Sequence, residues 1–193
     1  MKYKKLALQF HIKRIQIFLM STQNDSIQKT IKCILVGDRF VGKSAIFYSH
    51  IYEKVVQYLT NQADCQVLRL KKGNVEIKFQ FWDLNELTRE KTLKYYRQTS
   101  ILMIIYDVTN RNSFTNIKNY YKDFVEQENQ QSIIALVGNK KDLNESRLVS
   151  FFEGQNLAKS LGVEFFEVSA FTGDKIKDLY DFLMNKQIDF VEY

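Results

Sequence analysis

Residues Gly37-Asp38-Arg39-Phe40-Val41-Gly42-Lys43-Ser44 meet the pattern G-x-x-x-x-G-K-S/T at each fixed position. These residue types suit phosphate. The glycines let the backbone curl so that successive N–H groups face inward, a following helix adds the positive end of its dipole, and Lys43 brings a cation on a flexible stem. Ser44 offers a hydroxyl to Mg²⁺. The pattern requires a strand before it and a helix after it. The apolar run from Ile31 to Val36 and the helix-compatible run from Ala45 to Tyr52 supply both.

Two more groups stand where further apolar runs end: Gly138-Asn139-Lys140-Lys141-Asp142-Leu143, an N-K-x-D sequence, and Ser169-Ala170. Open α/β sheets bind ligands at the carboxyl ends of their strands. A carboxylate such as Asp142 accepts two hydrogen bonds from the N1–H and N2–H of guanine. Adenine has no donors there, and a loss of that kind separates analogues by about 10⁴ to 10⁵. Lys140 can lie along the base, Asn139 can tie its loop to the phosphate loop, and the Ala170 N–H can meet the guanine O6. The line from Asp107 to Phe114 reads only as a strand-to-helix turn, capped by Asn112 or Ser113.

These groups need a scaffold, and the periodicity provides one. Strands are expected at 31–36, 65–70, 75–82, 101–107, 133–138 and 163–168, and helices at 43–53, 89–98, 113–129, 151–161 and 173–187. Lys71-Lys72-Gly73-Asn74 reads as a hairpin turn. The expected fold is α/β, of the P-loop NTPase type: six strands, mostly parallel with one antiparallel strand, and helices on both faces. At 193 residues one domain is expected. Its anticipated divisions are an extension at 1–29, the domain at 30–187 and a short end at 188–193.

The net charge of +6 suggests an acidic partner until it is located. Lys2, Lys4, Lys5, Lys13 and Arg14 fall within the first 19 residues, and without these five the 28 basic residues drop to 23 against 22 acidic ones. The domain therefore carries no nucleic-acid footprint. Three readings of residues 1–19 stay open: an interfacial helix drawn to anionic lipid, a targeting peptide, for which the segment has few Ser and Arg, or a segment not native to a protein that starts at Met20. Cys33 and Cys65 lie in strand-like runs, which predicts buried thiols in a reducing compartment. No apolar run reaches the length of a spanning helix.

The order and spacing of these groups resemble the Ras superfamily of small GTPases, most of all Rab proteins. The likeness rests on Gly37 to Ser44, Phe81-Trp82-Asp83, Tyr95-Tyr96-Arg97, Asp107-Val108-Thr109 with Ser113-Phe114, Gly138 to Leu143, and Val168-Ser169-Ala170. It implies GTP and GDP as ligands, Mg²⁺ as cofactor, and switch segments that respond to the γ-phosphate. It places the nucleotide against Gly37, Asp38, Arg39, Phe40, Val41, Gly42, Lys43, Ser44 and Ala45, against Asn139, Lys140, Asp142 and Leu143, and against Ser169, Ala170 and Phe171. Ser44, Thr60 and Asp83 would serve the metal. Effector and regulator proteins follow by the same likeness; a monomer in the cytoplasm is expected, with any peripheral endomembrane contact made through residues 1–19. The chain as written shows no prenylation motif.

Several positions depart from the family pattern. Counted from Ser44, the metal-ligating threonine of switch I falls on Gln62, and Thr60 takes its place only if the loop is two residues shorter. The family's switch II begins W-D-T-A-G-Q-E, whereas this chain reads Trp82-Asp83-Leu84-Asn85-Glu86-Leu87-Thr88. Glu86 stands for the glycine, and Leu87, or Asn85 with a gap, stands for the glutamine that orients the attacking water. Arg39 occupies a position that stays small when an external arginine finger enters; it either supplies charge from within or obstructs. Phe171 replaces the usual lysine. The expectation is a GTP/GDP switch in vesicular traffic with impaired hydrolysis. The alternative is a nucleotide-independent module, such as a subunit of ciliary transport.

Overall fold

The unbroken apolar run Ile101–Asp107 forms strand β4, and all seven of its residues are buried. A strand covered on both faces belongs inside a parallel sheet flanked by helices. In the computed structural model, which describes residues 27–52, 64–72, 75–84, 89–127 and 132–189, the other strands are β1 (Ile27–Val36), β2 (Asp64–Lys72), β3 (Val75–Asp83), β5 (Ile133–Asn139) and β6 (Glu164–Glu167). The sheet order is β2-β3-β1-β4-β5-β6. β4 runs parallel to β1 and β5, and β5 parallel to β6, with Val36 opposite Ile104 and Asp107 opposite Asn139. The carboxyl ends of these strands therefore share one edge. Only two residues separate β2 from β3, too few for a parallel crossover, so that pair is antiparallel.

The helices are α1 (Lys43–Tyr52), α2 (Arg89–Tyr96), α3 (Arg111–Thr115), α4 (Ile117–Val125), α5 (Phe151–Leu161) and α6 (Ile176–Asp189). On one face of the sheet Ile34, Leu102, Ile104, Tyr106 and Leu136 pack with Tyr96, Ile117, Phe124 and Ala158 from α2, α4 and α5. On the other, the Phe81 ring meets Phe47 of α1 at 5.9 Å and Tyr180 of α6 at 5.6 Å. This is the α/β arrangement that the motifs require. The described residues fall into two compact units, one within 31–67 and 79–189 and the other within 27–30 and 68–78. The described site residues all lie in the first.

Some boundaries differ from expectation for local reasons. The helix expected over 113–129 is two helices, because the chain is interrupted at Asn116, where ψ is −12°. Its cap is neither Asn112 nor Ser113 but Asn110, whose side-chain oxygen accepts from the N–H groups of both. Ser113 instead turns its hydroxyl to Asn110 O at 2.8 Å and accepts from Asp107 N at 3.1 Å. The last helix begins at Ile176 rather than 173, since Gly173 and Lys175 have φ of 82° and 56°, outside the right-handed helix. α2 stops at Tyr96; Gln98 is left-handed at φ 57°, and Lys32 Nζ closes the end by donating to Arg97 O at 3.0 Å. Cys33 is buried as expected, but Cys65 is only half-buried; it sits on β2, which ends the strand order. Residues 1–19 lie outside the described residues. No described helix is long and apolar enough to cross a membrane.

α5 is secured by a capping box: the Ser150 hydroxyl accepts from Glu153 N at 3.2 Å, and Glu153 Oε2 accepts from Ser150 N at 2.9 Å. The Arg111 guanidinium beside Glu153, at 2.6 Å, and the two Ser150 groups hold its carboxyl down to about 2. A carboxyl lowered by folding contributes stability above its unfolded value and loses it as the pH falls toward 2. Glu153→Gln is therefore expected to lower the melting temperature at pH 7 and to leave a smaller decline between pH 5 and pH 2, measured by thermal unfolding across that range.

Candidate functional site

The phosphate loop joins the end of β1 to the start of α1, and the chain reverses there with Gly42 at φ 95°. A Cβ at Gly42 would fall 2.2 Å from Asn139 Nδ2, so only glycine admits the neighbouring amide. Lys43 is 4 % exposed, and its Nζ donates to Gly37 O and Asp38 O, each at 2.8 Å. Burial lowers its pKa to about 8, against the opposing pull of Asp83 and Asp38. The ammonium thus waits in the loop, ready for anionic oxygens.

Ser44 follows on the first turn of α1, buried, and its hydroxyl donates to the Asp83 carboxylate at the end of β3. A hydroxyl and a carboxylate brought together under the phosphate loop are the hard oxygen donors that Mg²⁺ accepts, completed by water and phosphate. The donor set therefore fits that ion. Thr60, Asn85 and Leu87, the other expected contributors, lie outside the described residues.

Asn139 is the junction of the site. It is 2 % exposed; its Nδ2 donates to Val41 O at 2.8 Å, and its Oδ1 accepts from Ala170 N at 3.0 Å. One amide thus clasps three loops. The Ala170 N–H, expected to meet a base oxygen, is engaged with Asn139 instead, and reaching O6 would require sharing that bond. The Asp142 Oδ1 accepts from Ser169 Oγ at 2.5 Å. Lys140 adopts φ 65°, and its Nζ pairs with Asp107 Oδ2 at 2.6 Å. Asp107, read from sequence as merely structural, thus orients a site lysine. Around these polar groups Phe40, Leu143 and Phe171 are 73 %, 46 % and 63 % exposed. The Arg39 guanidinium lies 5.7 Å from the centroid of the Phe40 ring.

Two further pairings had no sequence signal. The Asp38 carboxylate accepts from Asn116 Nδ2 at 2.8 Å and from the Tyr120 hydroxyl at 3.0 Å, across separations of 78 and 82 residues. Arg147 makes a two-pronged pair with Glu167, at 2.7 and 3.0 Å, and donates to Val149 O at 3.0 Å. That pair links the segment after Asp142 to the end of β6, just before Ser169.

A phosphate loop on a strand-to-helix turn, at the carboxyl edge of a parallel sheet, defines a P-loop protein of the α/β class. The chain belongs to the Ras family, whose family model matches residues 32–189. It is 34 % identical over 164 residues to the Ras-related protein SEC4 of Saccharomyces cerevisiae, covering 83 % of this chain and 76 % of that one. It is also 34 % identical over 156 residues to the Ras-related protein Rab-4 of Dictyostelium discoideum, at 78 % and 75 % coverage. With the GTP-binding protein ypt2 of Schizosaccharomyces pombe it shares 33 % over 165 residues, at 83 % and 82 % coverage. It is a Rab-like member of the family.

Two outcomes follow from this geometry. Phe40 holds a left-handed φ of 65° with its ring largely in solvent. A left-handed residue with a Cβ costs about 1–2 kcal/mol, part of it offset by the greater unfolded freedom of glycine. Phe40→Gly is expected to stabilise the nucleotide-free protein by about 0.5–1 kcal/mol in urea titration. Arg147→Ala leaves the Glu167 carboxylate, 5 % exposed, without its ion-pair partner. The expected loss is about 3 kcal/mol, read from the same titration.

Proposed function

We propose that this chain is a Rab-like guanine-nucleotide switch in vesicular traffic that binds GTP and GDP with Mg²⁺ and hydrolyses GTP slowly. The observation that carries the nucleotide reading is the double contact of Asn139, which joins the loop suited to phosphate with the two loops suited to guanine. Lys43 would meet the outer phosphates, Ser44 and Asp83 would hold the metal, and Asp142, positioned by Ser169, would accept the guanine N–H groups. Bound Mg²⁺ would neutralise charge on the phosphates. The likeness to Rab-type relatives over about four fifths of the chain supports the trafficking role, with effector and regulator proteins as partners of a monomer.

Slow hydrolysis is supported by composition at switch II. A leucine or asparagine stands where a glutamine would orient water, and Glu86 adds negative charge where a glycine N–H would meet the γ-phosphate. Arg39 does not remedy this, because an arginine finger is effective beside a positioned water.

The test is to identify the nucleotide retained by the purified protein and then follow phosphate release in a single turnover. GDP and GTP are expected to bind with Mg²⁺, and Lys43→Ala to weaken both by about 10- to 100-fold. Hydrolysis is expected below about 10⁻⁴ s⁻¹. A rate at the intrinsic Ras value of about 3–5 × 10⁻⁴ s⁻¹ or higher would contradict the slow-enzyme reading. Failure to bind either nucleotide would favour the interaction-module reading instead.

A further inference from the structure

The phosphate loop contains an acid. Asp38 lies one residue past the glycine that opens the loop, and its own carbonyl oxygen accepts from Lys43 Nζ. A carboxylate free to rotate beside a site for anions would repel the ligand and compete for the lysine.

The structure gives this carboxylate other partners. Oδ2 accepts from Asn116 Nδ2 at 2.8 Å, and Oδ1 accepts from the Tyr120 hydroxyl at 3.0 Å. Both donors are neutral, and both come from outside the loop. Asn116 is the residue at which α3 gives way to α4, and its carbonyl accepts from Asn119 N at 3.0 Å in a tightened turn. Tyr120 lies four positions further on, one turn along the same helix face. The interruption of the helix therefore presents an amide and a phenol side by side to the loop.

We propose that Asn116 and Tyr120 are positioning residues for nucleotide binding, which tether the Asp38 carboxylate to the α3–α4 junction and so limit its repulsion of the ligand. The inference rests on the guanine-nucleotide reading above. It makes the α3–α4 junction part of the binding apparatus, although neither residue need touch the nucleotide.

The experiment is a mutant cycle on the full chain, with fluorescently labelled GDP and Mg²⁺ as the titrant. Tyr120→Phe removes one oxygen and is expected to weaken GDP binding about tenfold, the scale of a hydrogen bond to a charged group. In an Asp38→Asn background, where no charge remains to be held, the same substitution is expected to change the affinity less than twofold. The wild-type loss should also shrink as salt rises from 50 mM to 500 mM, since screening weakens a released charge. Asn116→Ala is a second variant with the same expectation, should Tyr120→Phe fail to fold.

An equal loss in both backgrounds, independent of salt, would mean that the two side chains act by packing alone and would overturn the proposal. So would unchanged affinity in both single variants of a wild-type protein that binds GDP. If the wild type does not bind GDP, the nucleotide reading itself fails and the inference falls with it.

Discussion

Everything at the ligand edge depends on one buried amide. Asn139 stands at the end of β5, where the parallel register sets it beside Asp107 of β4. Its side chain reaches Val41 in one direction and Ala170 in the other. An asparagine is suited to this because it carries a donor and an acceptor on one short, rigid plane. Aspartate could not donate to Val41, and leucine would leave a carbonyl and an N–H buried without partners, at about 1–3 kcal/mol each. The contact also fixes what can stand beside it, since a side chain at Gly42 would occupy the place of the Asn139 amide.

A second layer of contacts keeps the base-side loops from drifting around that anchor. Asp142 and Ser169 are joined by a hydrogen bond, and a few residues away Arg147 and Glu167 are joined by a mostly buried ion pair. With the chain segments 142–147 and 167–169 as the other two sides, these links close a small ring. Backbone bonds from Val168 N to Gly138 O and from Lys141 N to Val168 O tie the 167–169 side to the residues that precede Asp142. A closed ring restricts the loop before any ligand arrives, which lowers the ordering cost of binding. The ion pair is better understood as fixing geometry than as adding net stability, because desolvation offsets much of its attraction.

Local signals made the fold and most of the site legible in the sequence. The ends of the apolar runs alone put Asn139 and Ser169 at one edge, and the phosphate loop is marked by spacing alone. Contacts between distant residues were not legible. Asp38 with Asn116, Asp107 with Lys140, and Arg147 with Glu167 join ordinary polar residues whose types are common on any surface, and no periodicity marks them. Backbone conformation was hidden for a related reason. Lys175 and Gln98 are left-handed without being glycine or asparagine, so the helix boundaries beside them moved. The expected cap at Asn112 or Ser113 failed because Asn110 satisfied the same two N–H groups first.

Motif positions also differ in kind, and the structure separates them. Gly138 opens the N-K-x-D sequence, yet its role is steric: a Cβ there would lie 2.7 Å from the Tyr106 hydroxyl and 2.8 Å from its ring. Tyr106 is fully buried beneath the strand that carries Asn139, and among the described residues its hydroxyl has no hydrogen-bond partner. Burial pushes its pKa well up, first by desolvation and then by the nearby Glu167. The large ring packs against Phe114 at 5.0 Å and fills the space that a side chain at Gly138 would take, leaving one unsatisfied oxygen. The motif glycine and the tyrosine are therefore a single packing unit. A motif read only as a set of ligand contacts would assign Gly138 to chemistry, when its lack of a side chain is what makes room for the buried Tyr106 ring.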